Sequence, residues 1–142
     1  MRVTSFYIDK EPQPWQRPKT RVVNGWVQHY SPEETKKFEK AVADVYKARK
    51  DPPFFERHTA ISVTILFGLP IPKSYTKWRV EAIKKGTIKH TKRPDVDNLA
   101  KAILDALNGV AWADDAQITQ MIVKKEYVTK PCIWVQISED VY

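Results

Sequence analysis

The stretch that most limits what this chain can fold into runs from Lys92 to Gly109. From Asn98 to Asn108, Leu99, Ala102, Ile103, Ala106 and Leu107 recur at three- and four-residue steps, which predicts a helix with one apolar face. Gly109 stands where such a helix stops, and Pro94 holds the approach extended. Asp97 suits the N-cap, because its carboxylate can accept from the unpaired amides of the first turn. A helix that is apolar on one side must be laid against another layer. At about 100° per residue, Asp97, Lys101 and Asp105 share the arc turned away from Leu99, Ile103 and Ala106, with Asp95 just ahead.

These acids sit oddly in a chain of formal net charge +7. Asp95 and Asp97 stand two apart at a helix start, and Asp114 and Asp115 follow shortly after the helix. Such carboxylates suit a hard cation, magnesium or manganese in its place, which takes one or two carboxylates and leaves its other positions to water and phosphate. Asp114 or Asp115 can supply a third acid. His29, His58 and His90 are scattered and Cys132 is alone, so no set of soft ligands competes. Singly, each acid also fits a plain role as a helix cap or turn residue. Together, on a basic chain, they read as a metal site.

The segment Arg93-Pro94-Asp95-Val96-Asp97-Asn98-Leu99-Ala100-Lys101, then Asp105-Ala106-Leu107, then Trp112-Ala113-Asp114-Asp115-Ala116-Gln117, resembles the signature of the RusA family of Holliday junction resolvases. The close likeness covers about a third of the chain; a looser one extends through Trp15-Gln16-Arg17-Pro18-Lys19 and Tyr30-Ser31-Pro32. The resemblance implies that Asp95, Asp97 and Asp115 bind metal and that Lys101 is essential. It also implies a homodimer that resolves four-way junctions by paired symmetric nicks in recombination or repair. Ala100 departs mildly from the pattern without touching these residues.

The length of 142 residues predicts a single domain, 1–142, large enough for one core. The basic excess favours nucleic acid or another anionic surface as partner. One cysteine excludes an internal disulfide and fits a reducing cytoplasm. Met1 to Ser5 lacks the apolar core of a signal peptide, and no segment is long enough to span a bilayer.

Val3 to Ile8 is rich in β-branched and aromatic residues and predicts a first strand. A Pro-rich arm from Glu11 to Gly25 carries Arg17, Lys19 and Arg21, suited to lie along phosphates, and Asn24-Gly25 predicts a hairpin turn into Gly25–Tyr30. Ser31 as cap, Pro32 at the first helical position and Glu34 as the partner in a capping box predict a helix to about Lys50, with Phe38, Ala41, Val42 and Val45 inward. Asp51-Pro52-Pro53 ends it. Thr59 to Phe67 alternates as a half-buried strand, broken by Gly68 to Pro72. Thr76 to Lys85 reads as a short helix with Trp78 and Ile83 inward. Ile118–Val128 and Pro131–Ser138 read as strands joined in a hairpin by Thr129-Lys130-Pro131. Together these elements predict an α+β fold, two main helices on one small mixed sheet.

Between Lys73 and Arg93 stand Lys73, Lys77, Arg79, Lys84, Lys85, Lys89, Lys92 and Arg93 against Glu81. Placed just ahead of the acids, these cations are expected to hold DNA in a salt-dependent way. Phosphodiester cleavage needs hydroxide near neutral pH, charge neutralised at the phosphate and a stabilised 3′ oxygen. Magnesium at Asp95, Asp97 and Asp115 meets the first two needs. The Lys101 ammonium meets the third or else orients the water, unless it is a plain helix-face ion pair with Asp97 or Asp105. Crowded carboxylates take protons readily, so activity is expected to fall at acid pH. A two-fold junction calls for a two-fold dimer. Trp112 is expected in the core or at an interface, and Trp112, Trp134 and the last strand are the candidate dimer surfaces. Two other readings share these residues: a branched-DNA-binding module without turnover, and a nuclease for flaps, forks or damaged duplex.

Overall fold

The computed structural model describes residues 1–30 and 32–140. In chain order it forms β1 (Val3–Ile8), β2 (Lys19–Val23), β3 (Trp26–Tyr30), α1 (Glu33–Lys47), β4 (Ile61–Pro70), α2 (Lys77–Lys84), α3 (Val96–Leu107), a 3-10 turn (Asp115–Gln117), β5 (Ile118–Val128) and β6 (Cys132–Glu139). The main sheet has the order β1-β6-β4-β5, and β2-β3 forms a sheet of its own. β6 is antiparallel to β1 and β4, whereas β4 and β5 run parallel. The mixed sheet with helices is the α+β arrangement expected.

One face of the main sheet is dry. Phe6 and Ile8 of β1, Ile61, Val63, Ile65 and Phe67 of β4, and Ile133, Val135 and Ile137 of β6 are all buried there. This follows from period-two alternation in each strand. α1 and α3 pack on each other, α1 also against β1 and α3 against β5. The opposite face carries exposed Val3 and Tyr7, with Leu66 and Trp134 partly covered. Among the described residues, no helix is long and apolar enough to cross a membrane.

The parallel pair β4–β5 needs a long crossover. That crossover contains α2, α3 and the 3-10 turn. α3 therefore runs back across the dry face and carries its first turn near the end of β4, where Leu69 lines a groove with Asp95.

Several expectations are corrected. β5 and β6 form no hairpin, because β4 lies between them. β4 runs through Gly68 to Pro70 and is not broken there. The reason is steric: a Cβ on Gly68 would stand 2.7 Å from Val128 Cγ2 and 3.2 Å from Cys132 Sγ. Glycine at this point lets the short link from β5 to β6 pass close over β4. Trp78 points outward, 75% exposed, while Ile83 is buried as expected. A helix of 8 residues with so few apolar positions has room to bury little more than one of them.

α1 places Pro32 at the cap and not at the first helical position. The Ser31 cap, and with it the capping box, lies outside the described residues. The buried stripe of α1 is Thr35, Phe38, Val42, Ala43 and Tyr46, with Ala41 and Val45 half-buried beside it. The Tyr46 hydroxyl donates to the Pro53 carbonyl, which lets a tyrosine be buried. The Asn24-Gly25 turn forms as expected, with φ of 52° and 80°.

Candidate active site

α3 begins at Val96, two residues earlier than its periodicity suggests. Asp95 is the extended residue before the helix and its carboxylate makes no cap. Asp97 is therefore not the N-cap. It lies in the first turn, where its Oδ1 accepts from the Asn98 amide at 2.9 Å. A helix N-terminus carries partial positive charge, so both acids are well placed electrostatically. Asp95 and Asp97 are exposed, while Leu99, Ala100, Ile103, Ala106 and Leu107 anchor the opposite side in the core.

Lys101 follows one turn later, its Nζ 3.7 Å from Asp105 Oδ2. Its ammonium also lies 4.9 Å from the centre of the Trp15 ring. The arm that carries Trp15 is tied down by the Trp15 amide, which donates to the Asn98 carbonyl at 2.9 Å. The Pro-rich arm is thus pinned to α3. A groove lined by Pro12, Pro14, Trp15, Arg93, Asp95 and Asn98 separates the two.

Asp115 reaches the same region from the 3-10 turn. Trp112 is fully buried in the core, which excludes it from any dimer surface, and its Nε1–H donates to Asp115 Oδ1 at 2.7 Å. Burial raises the Asp115 carboxyl above the ordinary aspartate value; the Trp112 bond opposes this, Asp105 and Asp114 add to it, and Lys101 lowers it. Burial likewise raises Glu39 of α1, with Asp105 adding to the rise and Lys101 opposing it. Lys101 is therefore the cation among three acids from different elements, Asp105, Asp115 and Glu39. Nothing in the sequence singled out Glu39, since only α1 packing on α3 brings it there.

Asp114 has a different set of contacts. Its Oδ1 accepts from the Ala116 amide at 3.1 Å, and its Oδ2 lies 3.9 Å from Arg57. Gln117 completes this turn. Its Oε1 accepts from Ala113 and Asp114, and its Nε2 donates to the carbonyls of Glu56 and Thr59 at 2.9 Å. Trp112-Ala113-Asp114-Asp115-Ala116-Gln117 is thus a self-capped turn bolted to the Phe55–Thr59 segment.

Lys125 of β5, which no motif in the sequence marks, fixes the other end. Its Nζ donates to the carbonyls of Lys92 at 2.7 Å and Pro94 at 2.9 Å, on either side of the cis Arg93–Pro94 peptide. Next to it, His90 lies against Tyr127 with ring centres 4.7 Å apart, and Arg79 and Lys92 stand over Tyr75. Lys73, Lys77, Arg79, Lys84, Lys85, Lys89, Lys92 and Arg93 are exposed along α2 and its flanks; Arg17, Lys19 and Arg21 are exposed on the arm and β2.

The acids form a row along α3 and not a closed cage. At 1.5 Å per residue, Asp97 and Asp105 are separated by roughly 12 Å along the axis. Among the described residues, no three His, Cys, Asp or Glu side chains converge on one point as they stand. The donor chemistry still fits a hard cation. Asp97 and Asp115 each hold one oxygen in a hydrogen bond, and among the described residues Oδ2 of each accepts none. Open carboxylate oxygens beside solvent suit an ion completed by water and phosphate.

The family model for endodeoxyribonuclease RusA matches residues 9–138. An uncharacterized protein of Bacillus subtilis (strain 168), YqaN, is 31% identical over 139 residues, covering 98% of both chains. The crossover junction endodeoxyribonuclease rusA of Lactococcus phage r1t is 28% identical over 137 residues, 94% of this chain and 95% of the phage protein.

Proposed function

Because the chain belongs to the endodeoxyribonuclease RusA family, we propose that it cleaves four-way DNA junctions by paired symmetric nicks, using magnesium or manganese. The observation that carries this reading is Lys101, held by Trp15 beside Asp105 and near Asp115, on the helix that has Asp95 just ahead of it and Asp97 in its first turn. A helix whose acids served only as caps would have no use for that lysine and its aromatic support.

In this reading Asp95, Asp97 and Asp115 hold the metal, while Asp114 caps its turn. A bound divalent ion would neutralise phosphate charge and make water acidic enough to attack. The protein's own part is placement. Trp112 turns the Asp115 carboxylate, and the Asn98 amide turns that of Asp97. Lys101 presents fixed positive charge to the crowded transition state or to the leaving 3′ oxygen. Arg17, Lys19, Arg21 and the cations from Lys73 to Arg93 hold the arms through phosphates, so affinity falls with salt. A homodimer supplies one site per strand of a two-fold junction. Trp134 and β6, on the open face of the sheet, are the surface we assign to that dimer. The site of action is the cytoplasm.

The test is cleavage of a labelled four-way junction beside a flap, a fork and a linear duplex, with magnesium, by wild type, Asp97→Asn and Lys101→Ala. Paired symmetric cuts by wild type alone support the proposal. Cutting of flaps and forks equally well would widen the substrate to branched DNA in general. Tight junction binding by all three proteins with no cutting would overturn the catalytic reading.

A further inference from the structure

The β2–β3 hairpin stands apart from everything described so far. It shares no strand pairing with the main sheet, and almost every residue in it is exposed. A two-stranded ribbon in water is marginal by itself. Yet this one exposes Val22, Val27 and, beside the tight turn, Trp26 at 78%. Tryptophan displayed this way usually has a partner.

The register shows what lies on each face. Lys19 pairs with Tyr30, Arg21 with Gln28 and Val23 with Trp26, and directly opposed residues share a face. That face is aromatic and cationic, and it is ordered from within. Arg21 Nε donates to Gln28 Oε1 at 3.0 Å, and its guanidinium lies 5.0 Å from the centre of the Tyr30 ring. From Pro12 to Tyr30 the chain has Arg17, Lys19 and Arg21 and no carboxylate. A second copy offering the same face would set cation against cation. A polyanion with exposed ring faces is complementary to it. Intact duplex hides those rings in its stack. At the crossover of a four-way junction, base pairs flank a break in stacking and open at lower cost.

We propose that the β2–β3 hairpin is a wedge for the junction crossover, in which Trp26 stacks on a base next to the branch point while Lys19 and Arg21 hold the adjoining phosphates. This rests on the four-way-junction reading above. It goes beyond it in naming what recognises the branch, as distinct from what cuts it. The cations grip any DNA; Trp26 distinguishes a crossover from a straight arm.

The test uses four-way junctions carrying 2-aminopurine either beside the crossover or in mid-arm, with a linear duplex of equal length, all in chelator so that nothing is cut. Wild type, Trp26→Ala and Trp26→Phe are titrated, and their mass in solution is measured by sedimentation. Wild type should raise 2-aminopurine fluorescence at the crossover and not in the arm. Trp26→Ala should lose that rise and weaken junction binding roughly 5- to 150-fold, the worth of one base–aromatic stack, with duplex affinity unchanged within about twofold. Trp26→Phe should retain most of both signals, which also shows that the hairpin tolerates substitution there. If Trp26→Ala keeps full junction preference and the fluorescence rise, the wedge is overturned and the junction reading stands. If Trp26→Ala instead turns a dimer into a monomer, the hairpin serves a second copy and the wedge is again overturned. If wild type binds junction and duplex alike, the junction reading itself fails and the wedge fails with it.

Discussion

The Lys101 ammonium rests 4.9 Å from the centre of the Trp15 ring, so an arm near the start of the chain supports a cation on the central helix. The arm is held by a backbone bond from Trp15 to Asn98, which survives changes to the ring. Trp15 is half-buried and Lys101 is 48% exposed, so their contact is worth about 0.5–1 kcal/mol, the value for a cation that keeps much of its water. Trp15→Ala should therefore lower kcat on a junction roughly two- to fivefold with little change in KM. Trp15→Phe should recover part of the loss. A fall in KM-governed rates alone would make Trp15 a DNA contact and not a support for Lys101.

Lys125 bonds two carbonyls around the residue pair that leads into Asp95. Charged hydrogen bonds of this kind are worth about 1.5–3 kcal/mol each when lost. Lys125→Met should leave Lys92 and Pro94 unpaired and loosen the approach to Asp95. The expected result is a higher magnesium concentration for half-maximal cleavage, by about tenfold, together with a lower unfolding midpoint. Lys125→Arg should restore much of it. A magnesium titration of the two variants decides this.

Trp112 belongs to the core and to the site at once. Trp112→Phe keeps an aromatic ring in the core but removes the donor to Asp115 Oδ1. Leaving that carboxylate unpartnered should reduce cleavage at least tenfold. The loss of core volume should cost about 1–3 kcal/mol in denaturant unfolding. Equal activity in wild type and variant would show that the orientation of Asp115 is immaterial.

His90 makes stability depend on pH. Burial pushes its imidazole below the ordinary histidine value, and the charges of Lys125 and Lys92 push the same way. The unfolded chain thus binds the proton more readily than the folded one. This contribution to stability is complete above about pH 6.5 and declines as pH falls from there towards the lower folded-state value. Melting temperature measured across this range should drop on the acid side. His90→Phe should flatten that drop.

Much of this was legible because it is local. The α3 periodicity, the Asn24-Gly25 turn and the alternation in β4 and β6 are each settled by neighbours within a few residues. Most failures were contacts between distant segments, and one was a local shift of a helix start. Gly68 resembles a strand breaker until Val128 and Cys132 are seen pressing on it from either side. The inward placing of Trp78 assumed a covering layer that α2 does not have. Asp97 resembles a cap, but the helix starts at Val96 and moves it inside. At the site, Asp95, Asp97, Lys101 and Asp115 stand out by residue type and spacing. Glu39, Lys125 and the Trp15–Lys101 contact carry no such mark, because each arises where two remote elements meet.

The hairpin's independence of the main sheet bears on how such proteins diversify. Residues 19–30 share no ladder with the strands that anchor α3, so mutations there are nearly free of consequences for the acids and Lys101. Under the wedge proposal, the preference for a branched structure can then change while the cutting chemistry stays unchanged, and a grafted hairpin becomes a practical route to re-targeting.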